Sequence, residues 1–104
     1  MMIIKLSETI GKHCSQRQSG SDWKGGELIR DLVVKNWDNE EMIEISFEGV
    51  ESVTPSFSDE SIGKLAQSYS IDQLRGKLVF THINDDIKDK INKSIELRLQ
   101  QKQK

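Results

Sequence analysis

A chain of 104 residues is the size of one domain, and 35% apolar with 31% charged residues excludes a disordered or fibrous chain. Fifteen basic against seventeen acidic residues leave a net charge of −2, which is not the footprint of a domain built wholly for nucleic acid. A single cysteine, Cys14, excludes an internal disulfide and a thiolate-rich metal centre, and no zinc-ligand spacing is present, so neither metal nor cofactor is expected. No apolar stretch approaches the ~18 residues that span a bilayer, and the run from Met1 to Lys5 is too short for a signal peptide, so a cytoplasmic location is expected.

In chain order, Ile3 to Leu6 reads as a first strand because β-branched residues suit a pleated surface. Residues 11–26, rich in Ser, Gln and Gly, read as a loop long enough to be of functional interest. Leu28, Ile29, Leu32, Val33 and Trp37 recur at helical spacing and predict an amphipathic helix over 26–37. After a turn at Asp38-Asn39, Ile43, Ile45 and Phe47 alternate with mostly polar residues, the period of a strand with one buried face. Pro55, the only proline, favours a helix after it, with Ser56 as cap, Asp59 as a capping-box partner and Ser58 as the alternative cap. Phe57, Ile62, Leu65, Ala66 and Tyr69 extend that helix to Tyr69, and Gly63 inside it points to a closely approaching backbone. Residues 70–77 read as a connector with a short turn at Ile71 to Leu74, broken by Gly76. Leu78 to Ile83 is a nearly continuous apolar run, the pattern of a strand covered on both faces. Asn84 or Asp85 caps a last helix in which Ile87, Ile91, Ile95 and Leu99 repeat every four residues, and residues 99–104 read as a fraying tail. The expected fold is a single α/β domain over 1–104, with a small mixed, mostly parallel sheet and three main helices.

Catalytic constellations are sparse. His13 and Cys14 are sequence neighbours whose side chains point apart on an extended segment, so they do not make a nucleophile and base. His82 falls in the apolar strand, as an edge-facing or satisfied histidine. The Gly20 to Gly26 segment fits neither the Walker nor the dinucleotide pattern. Arg17 and Lys24 in the 11–26 loop could meet a small anion or nucleotide, which is the enzyme or ligand-binding alternative. Asp85, Asp86 and Asp89 suit the N-terminal end of the last helix. Charge is unevenly spread, with +4 over residues 87–104 and −6 over 1–86. That division suits an acidic partner or self-association through the last helix into a homodimer, while membrane and nucleic acid are not expected as partners.

Phe47-Glu48-Gly49-Val50, then Thr54-Pro55-Ser56-Phe57-Ser58-Asp59-Glu60 and Gly63-Lys64-Leu65, resembles the STAS-like family of bacterial regulatory domains. In that family a strand ends in a hydrophobic-x-Gly-Val turn and Ser-Phe-x-Asp-Glu opens a helix. Gly11, Arg17 and Gly20, the strand at Leu78 to Ile83 with Asn84, and Arg98 are similar to its outer parts. The resemblance implies a STAS fold like that of anti-sigma-factor antagonists, and a non-enzymatic, signalling protein-interaction module that docks a partner through residues 50–64, with Thr54, Pro55, Ser56, Phe57, Ser58, Asp59 and Glu60 at the contact. It also implies a partner such as a histidine-kinase-like ATPase, or another regulator, which phosphorylates a serine at the helix start. Here the usual acceptor position is Pro55, which has no hydroxyl, and leaves the neighbouring Ser56 and Ser58 as the candidates; phosphorylation there adds ~1.5 to 2 negative charges.

Overall fold

A computed structural model describes residues 1–102. Three strands, β1 (Met2–Lys5), β3 (Ile43–Ser46) and β5 (Leu78–Thr81), form a sheet in the order β1-β3-β5, and a separate pair joins β2 (His13–Cys14) to β4 (Ser52–Val53). Every pairing is parallel. The α-helices are α1 (Leu6–Thr9), α2 (Gly26–Asn36), α3 (Pro55–Ser61), α4 (Ile71–Lys77) and α5 (Asp85–Lys102), with a 3-10 helix at Gly63–Gln67 between α3 and α4. The fold is the expected α/β type, with wholly parallel sheets and five α-helices where three were anticipated.

Register explains which strand residues are buried. Ile4, Ile45 and Phe80 are aligned across the sheet, as are Met2, Ile43 and Leu78. These two rows share the inner face, because side chains on one strand alternate between faces. Ile43, Ile45 and Phe47 are buried, as their alternation predicts. The aligned row Ile3, Glu44 and Val79 lies on the opposite face, and Ile3 is exposed. β5 ends at Thr81, short of Ile83, and only Leu78 of its four residues is buried. Its apolar run therefore does not mark a strand covered on both faces: β5 is an edge strand, with its face only partly shielded.

The helices cover the inner face. Ile29 and Val33 carry the buried stripe of α2, one turn apart, as the helical period predicts. Trp37, just past α2, stacks on Tyr69 with ring centroids 3.7 Å apart, and the Lys77 ammonium lies 5.5 Å from the Trp37 ring centre. Ile87, Ile91 and Ile95 carry the apolar side of α5, which packs along α3 and the 3-10 helix. Residues 99–102 continue that helix in place of the expected tail, and residues 103–104 lie outside the described residues.

Several local expectations change. The helix after Pro55 does not continue to Tyr69: it closes at Ser61 and resumes as the 3-10 helix. Gly63 sits in that break, where a Cβ would lie 2.8 Å from Asp59 Oδ1 and 3.1 Å from the Ser94 carbonyl oxygen of α5, so the expected close approach is present. Residues 71–77 form α4 rather than a connector. Ser70 and Gln73 make a reciprocal capping box there, and Gly76 is accommodated in the last turn. Asn84 caps α5 by accepting a hydrogen bond from the Ile87 amide at 2.8 Å.

Candidate functional site

The segment from β3 to α3 is shaped by a short series of local rules. Gly49 takes φ +81°, a backbone region that L side chains rarely adopt, and the Val50 amide donates to the Phe47 carbonyl across the turn. The chain then pairs as β4 with β2, so that the Thr54 amide donates to the Cys14 carbonyl at 3.0 Å. Thr54, not Ser56 or Ser58, caps α3: its hydroxyl accepts from the Phe57 amide at 3.2 Å, and Pro55 occupies the first turn, where a missing amide costs nothing. With the cap one residue pair earlier than expected, Asp59 is released from the capping box and turns to cations.

From this cap the helical period decides what faces solvent. Pro55 and Ser56 are exposed, and Thr54 and Asp59 are half-buried. Phe57, Ser58 and Glu60 are buried, at 1%, 0% and 1% exposure, so these three of the seven anticipated contact residues support the surface and do not form it. Phe57 anchors α3 in the core, a burial that stabilises by about 1.5–3 kcal/mol. Ser58 donates to the Lys90 carbonyl oxygen of α5 at 3.1 Å and accepts from the Ser94 hydroxyl at 2.9 Å. It is a bolt between α3 and α5, out of reach of a kinase unless the core opens. Of the two serines, Ser56 alone is exposed.

Asp59 and Glu60 organise an ion cluster drawn from four distant parts of the chain. Arg98 grips Asp59 with two hydrogen bonds, Nε to Oδ1 at 2.7 Å and Nη2 to Oδ2 at 2.6 Å, and Arg17 adds a third at 2.8 Å. The hydrogen bonds from Arg98, joined by those from Arg17 and opposed by partial burial, hold the Asp59 carboxyl down to about 2. Glu60 is paired with Arg30, with Lys64 at 3.0 Å and with Arg17 at 3.3 Å. Burial pulls its carboxyl upward, but hydrogen bonds from Arg30 and Lys64 and the Lys64 charge outweigh this and leave it lowered. Both carboxylates are therefore ionised structural anchors. Arg17 ties the 11–26 loop to α3, and backbone bonds from Gly26 to Gln16 and from Glu27 to Arg17 close that loop onto the start of α2.

Beside this cluster, α3 and α5 enclose a groove of about 440 Å³ that takes in Arg17, Pro55, Ser56, Asp59, Lys93 and Arg98. Arg17 and Lys24 are not brought together: Arg17 borders this groove, whereas Lys24 borders a separate depression with Glu8 and Trp23. No observation thus favours the small-anion reading of the 11–26 loop. A second, apolar cleft of about 500 Å³ lies between α4, β5 and α5, lined by Leu74, Phe80, Ile95 and Leu99.

His13 and Cys14 point apart. Cys14 is fully buried, its thiol lies 3.6 Å from the Gly11 carbonyl oxygen, and burial pushes its pKa to about 11. His13 instead meets Ser52 on the paired strand, Nδ1 to Oγ at 2.7 Å, with Glu51 3.4 Å from Nε2. Sequence reading missed this exposed trio because His13 and Ser52 come from two strands too short to show a period, with Glu51 just before the second. Neither the α3–α5 groove nor the α4–α5 cleft includes His13 or Ser52. His82 follows β5 at φ 51°, exposed and 3.6 Å from Glu48. Among the described residues no group of three or more His, Cys, Asp or Glu side chains could hold a metal ion, and no helix is long and apolar enough to cross a membrane.

A family model described as a STAS-like domain of unknown function (DUF4325) matches residues 25–88. No curated protein and no solved structure matches the chain. The matched stretch leaves Gly11, Arg17, Gly20 and Arg98 outside it, although Arg17 and Arg98 both clamp Asp59 within it. It runs from the start of α2 through the Gly49 turn, the Thr54-capped α3 and β5 into α5, more than half of the chain, and on that match the chain belongs to the family of STAS-like domains of unknown function.

Proposed function

We propose that the chain is a non-catalytic regulatory module that docks a protein partner through the exposed part of residues 50–64. The observation that carries this reading is the presentation of Pro55 and Ser56. Both are exposed on a helix fixed from below by Phe57 and Ser58 and from the side by the Asp59 and Glu60 ion cluster. A rigid support of this kind lowers the ordering cost of binding. The resemblance to regulatory STAS domains supports the same surface, with a histidine-kinase-like ATPase or other regulator as the partner class it implies.

Phospho-regulation, where it operates, falls on Ser56. Transfer of the γ-phosphoryl group of ATP to its hydroxyl oxygen, with ADP leaving, would place negative charge at the mouth of a groove bordered by Arg17, Lys93 and Arg98. A photo-crosslinking amino acid at position 56 tests the docking reading, with Asp72, exposed on α4, as the control position. The expected result in the native host is a discrete adduct from position 56 and none from position 72. Equal labelling from both positions, or no adduct in any growth state, would overturn it. Intact mass after incubation with the ATPase and ATP checks the phosphorylated form, and a phosphoryl addition that survives Ser56→Ala would remove Ser56 as acceptor.

A further inference from the structure

The groove between α3 and α5 has a charge opposite to that of the chain around it. Arg17, Lys90, Lys93 and Arg98 border it, and Asp59 is the only carboxylate among its lining residues. Asp86 pairs with Lys90 at 2.9 Å. Glu60, which also meets Arg17, is balanced by Arg30 and Lys64, so the four cations against Asp59 and Asp86 leave about +2, on a chain whose formal total is −2. The Asp59 carboxylate does not quench the groove. It is gripped by two guanidinium groups at once, which fixes Arg17 and Arg98 in place and leaves the set positive. Lys93 is exposed and makes no ion pair among the described residues.

The groove also has apolar walls. Leu97 is half exposed on the α5 side, and Pro55 is exposed on the α3 side. A volume of about 440 Å³ accommodates a few side chains of a bound segment. Positive charge interleaved with apolar contacts on the α5 wall, and Pro55 on the facing wall, suit a segment that alternates carboxylates with a branched aliphatic residue. They suit a nucleic acid poorly, because no aromatic side chain lines the groove to stack a base and the acidic body repels a long polyanion.

We propose that the α3–α5 groove binds an acidic segment of a protein partner, with its carboxylates against Lys93, Arg98 and Arg17 and an aliphatic side chain against Leu97 and Pro55. The assignment rests on the docking reading above and names the chemistry of its partner. Complementary charge speeds encounter and selects among partners, and burial against Leu97 and Pro55 supplies the apolar share of affinity.

The test is fluorescence anisotropy of the full chain with a short labelled peptide of repeating Glu-Glu-Leu. Saturable binding is expected at low salt, with about tenfold weakening by Lys93→Glu and a comparable loss in about 0.5 M salt. Leu97→Ser is expected to weaken binding severalfold without altering the salt dependence. Lys93 and Leu97 are exposed, so both variants should retain the wild-type melting profile, which a thermal melt checks. Absence of peptide binding, indifference to Lys93→Glu, or tighter binding of a labelled oligo(dT) strand than of the peptide would overturn the assignment. A partner captured from the host that binds the Lys93→Glu, Leu97→Ser double variant as well as wild type would overturn this groove while leaving the docking reading in place. Failure of crosslinking from position 56, with the peptide still bound, would strike the docking reading alone.

Discussion

Replacing Arg98 with methionine removes both of its hydrogen bonds to Asp59 while keeping a long apolar stem against α5. The wild-type Asp59 carboxyl is lowered from 3.8 to about 2, chiefly by the Arg98 hydrogen bonds. A displacement of that size corresponds to about 2 kcal/mol of stability, and solvent screening at the open groove leaves about 1–2 kcal/mol. Because the folded value lies below the unfolded one, the unfolded chain binds more protons as pH falls. The contribution is fully present above about pH 4 and is lost as pH drops toward 2. Arg98→Met is therefore expected to unfold at lower urea concentration at pH 7, with a melting temperature about 5–10 °C below wild type. The gap should shrink as pH is lowered through the 4 to 2 window, because wild type loses there what the variant already lacks. Urea titrations followed by far-UV circular dichroism at pH 7, 4 and 2.5 measure this. Wild-type and variant stabilities that fall in parallel across the whole range would show that Arg98 does not hold the Asp59 proton equilibrium, and would refute the ion-cluster account.

Gly63→Ala is expected to destabilise by about 1–3 kcal/mol, since its Cβ would press on Asp59 and on the Ser94 backbone; an unchanged denaturation midpoint would show that α5 can step aside. Ser56→Asp should fold as wild type, whereas Ser58→Asp, which buries a carboxylate in place of the bonds to Lys90 and Ser94, should lose a cooperative melt. Equal behaviour of the two serine variants would contradict the assigned burial. Cys14, buried with its pKa pushed up to about 11, should resist a thiol reagent at pH 8 and react at once in denaturant; rapid reaction in the folded protein would contradict it.

The long periodic elements were legible in the chain. The stripe Ile29 and Val33 defines α2, the alternation Ile43, Ile45 and Phe47 defines β3, and the four-residue repeat of isoleucines defines α5, because each buries one face over several turns or pleats. What escaped detection was short or distant. β2 and β4 have two residues each, too few to show a period, so the meeting of His13 with Ser52 was invisible. The end of α3 at Ser61 depends on contact between Gly63 and α5, a tertiary effect that local apolar spacing does not carry. Ser70 and Gln73 did carry a capping-box signal, and Gly76 obscured it. Pro55 and Ser56 are exposed and Thr54 and Asp59 half-buried, whereas the period of a helix capped at Thr54, two residues before Ser56, turns Phe57, Ser58 and Glu60 inward. The partners of Asp59 and Glu60 lie as far off as Arg17 and Arg98. Only the Glu60 to Lys64 spacing, four residues on one helical side, hinted at the cluster.

The docking surface is tested most directly by affinity purification of the tagged chain from its native host, comparing wild type, Ser56→Trp and Val34→Lys. Ser56 and Val34 are both exposed, on α3 and α2 respectively, so neither change disturbs the core. The expected result is a protein that co-purifies in near-equal amounts with wild type and Val34→Lys and is depleted at least tenfold with Ser56→Trp, the loss that blocking a central contact produces. A partner retained equally by all three chains would place the interface elsewhere and contradict the proposed function.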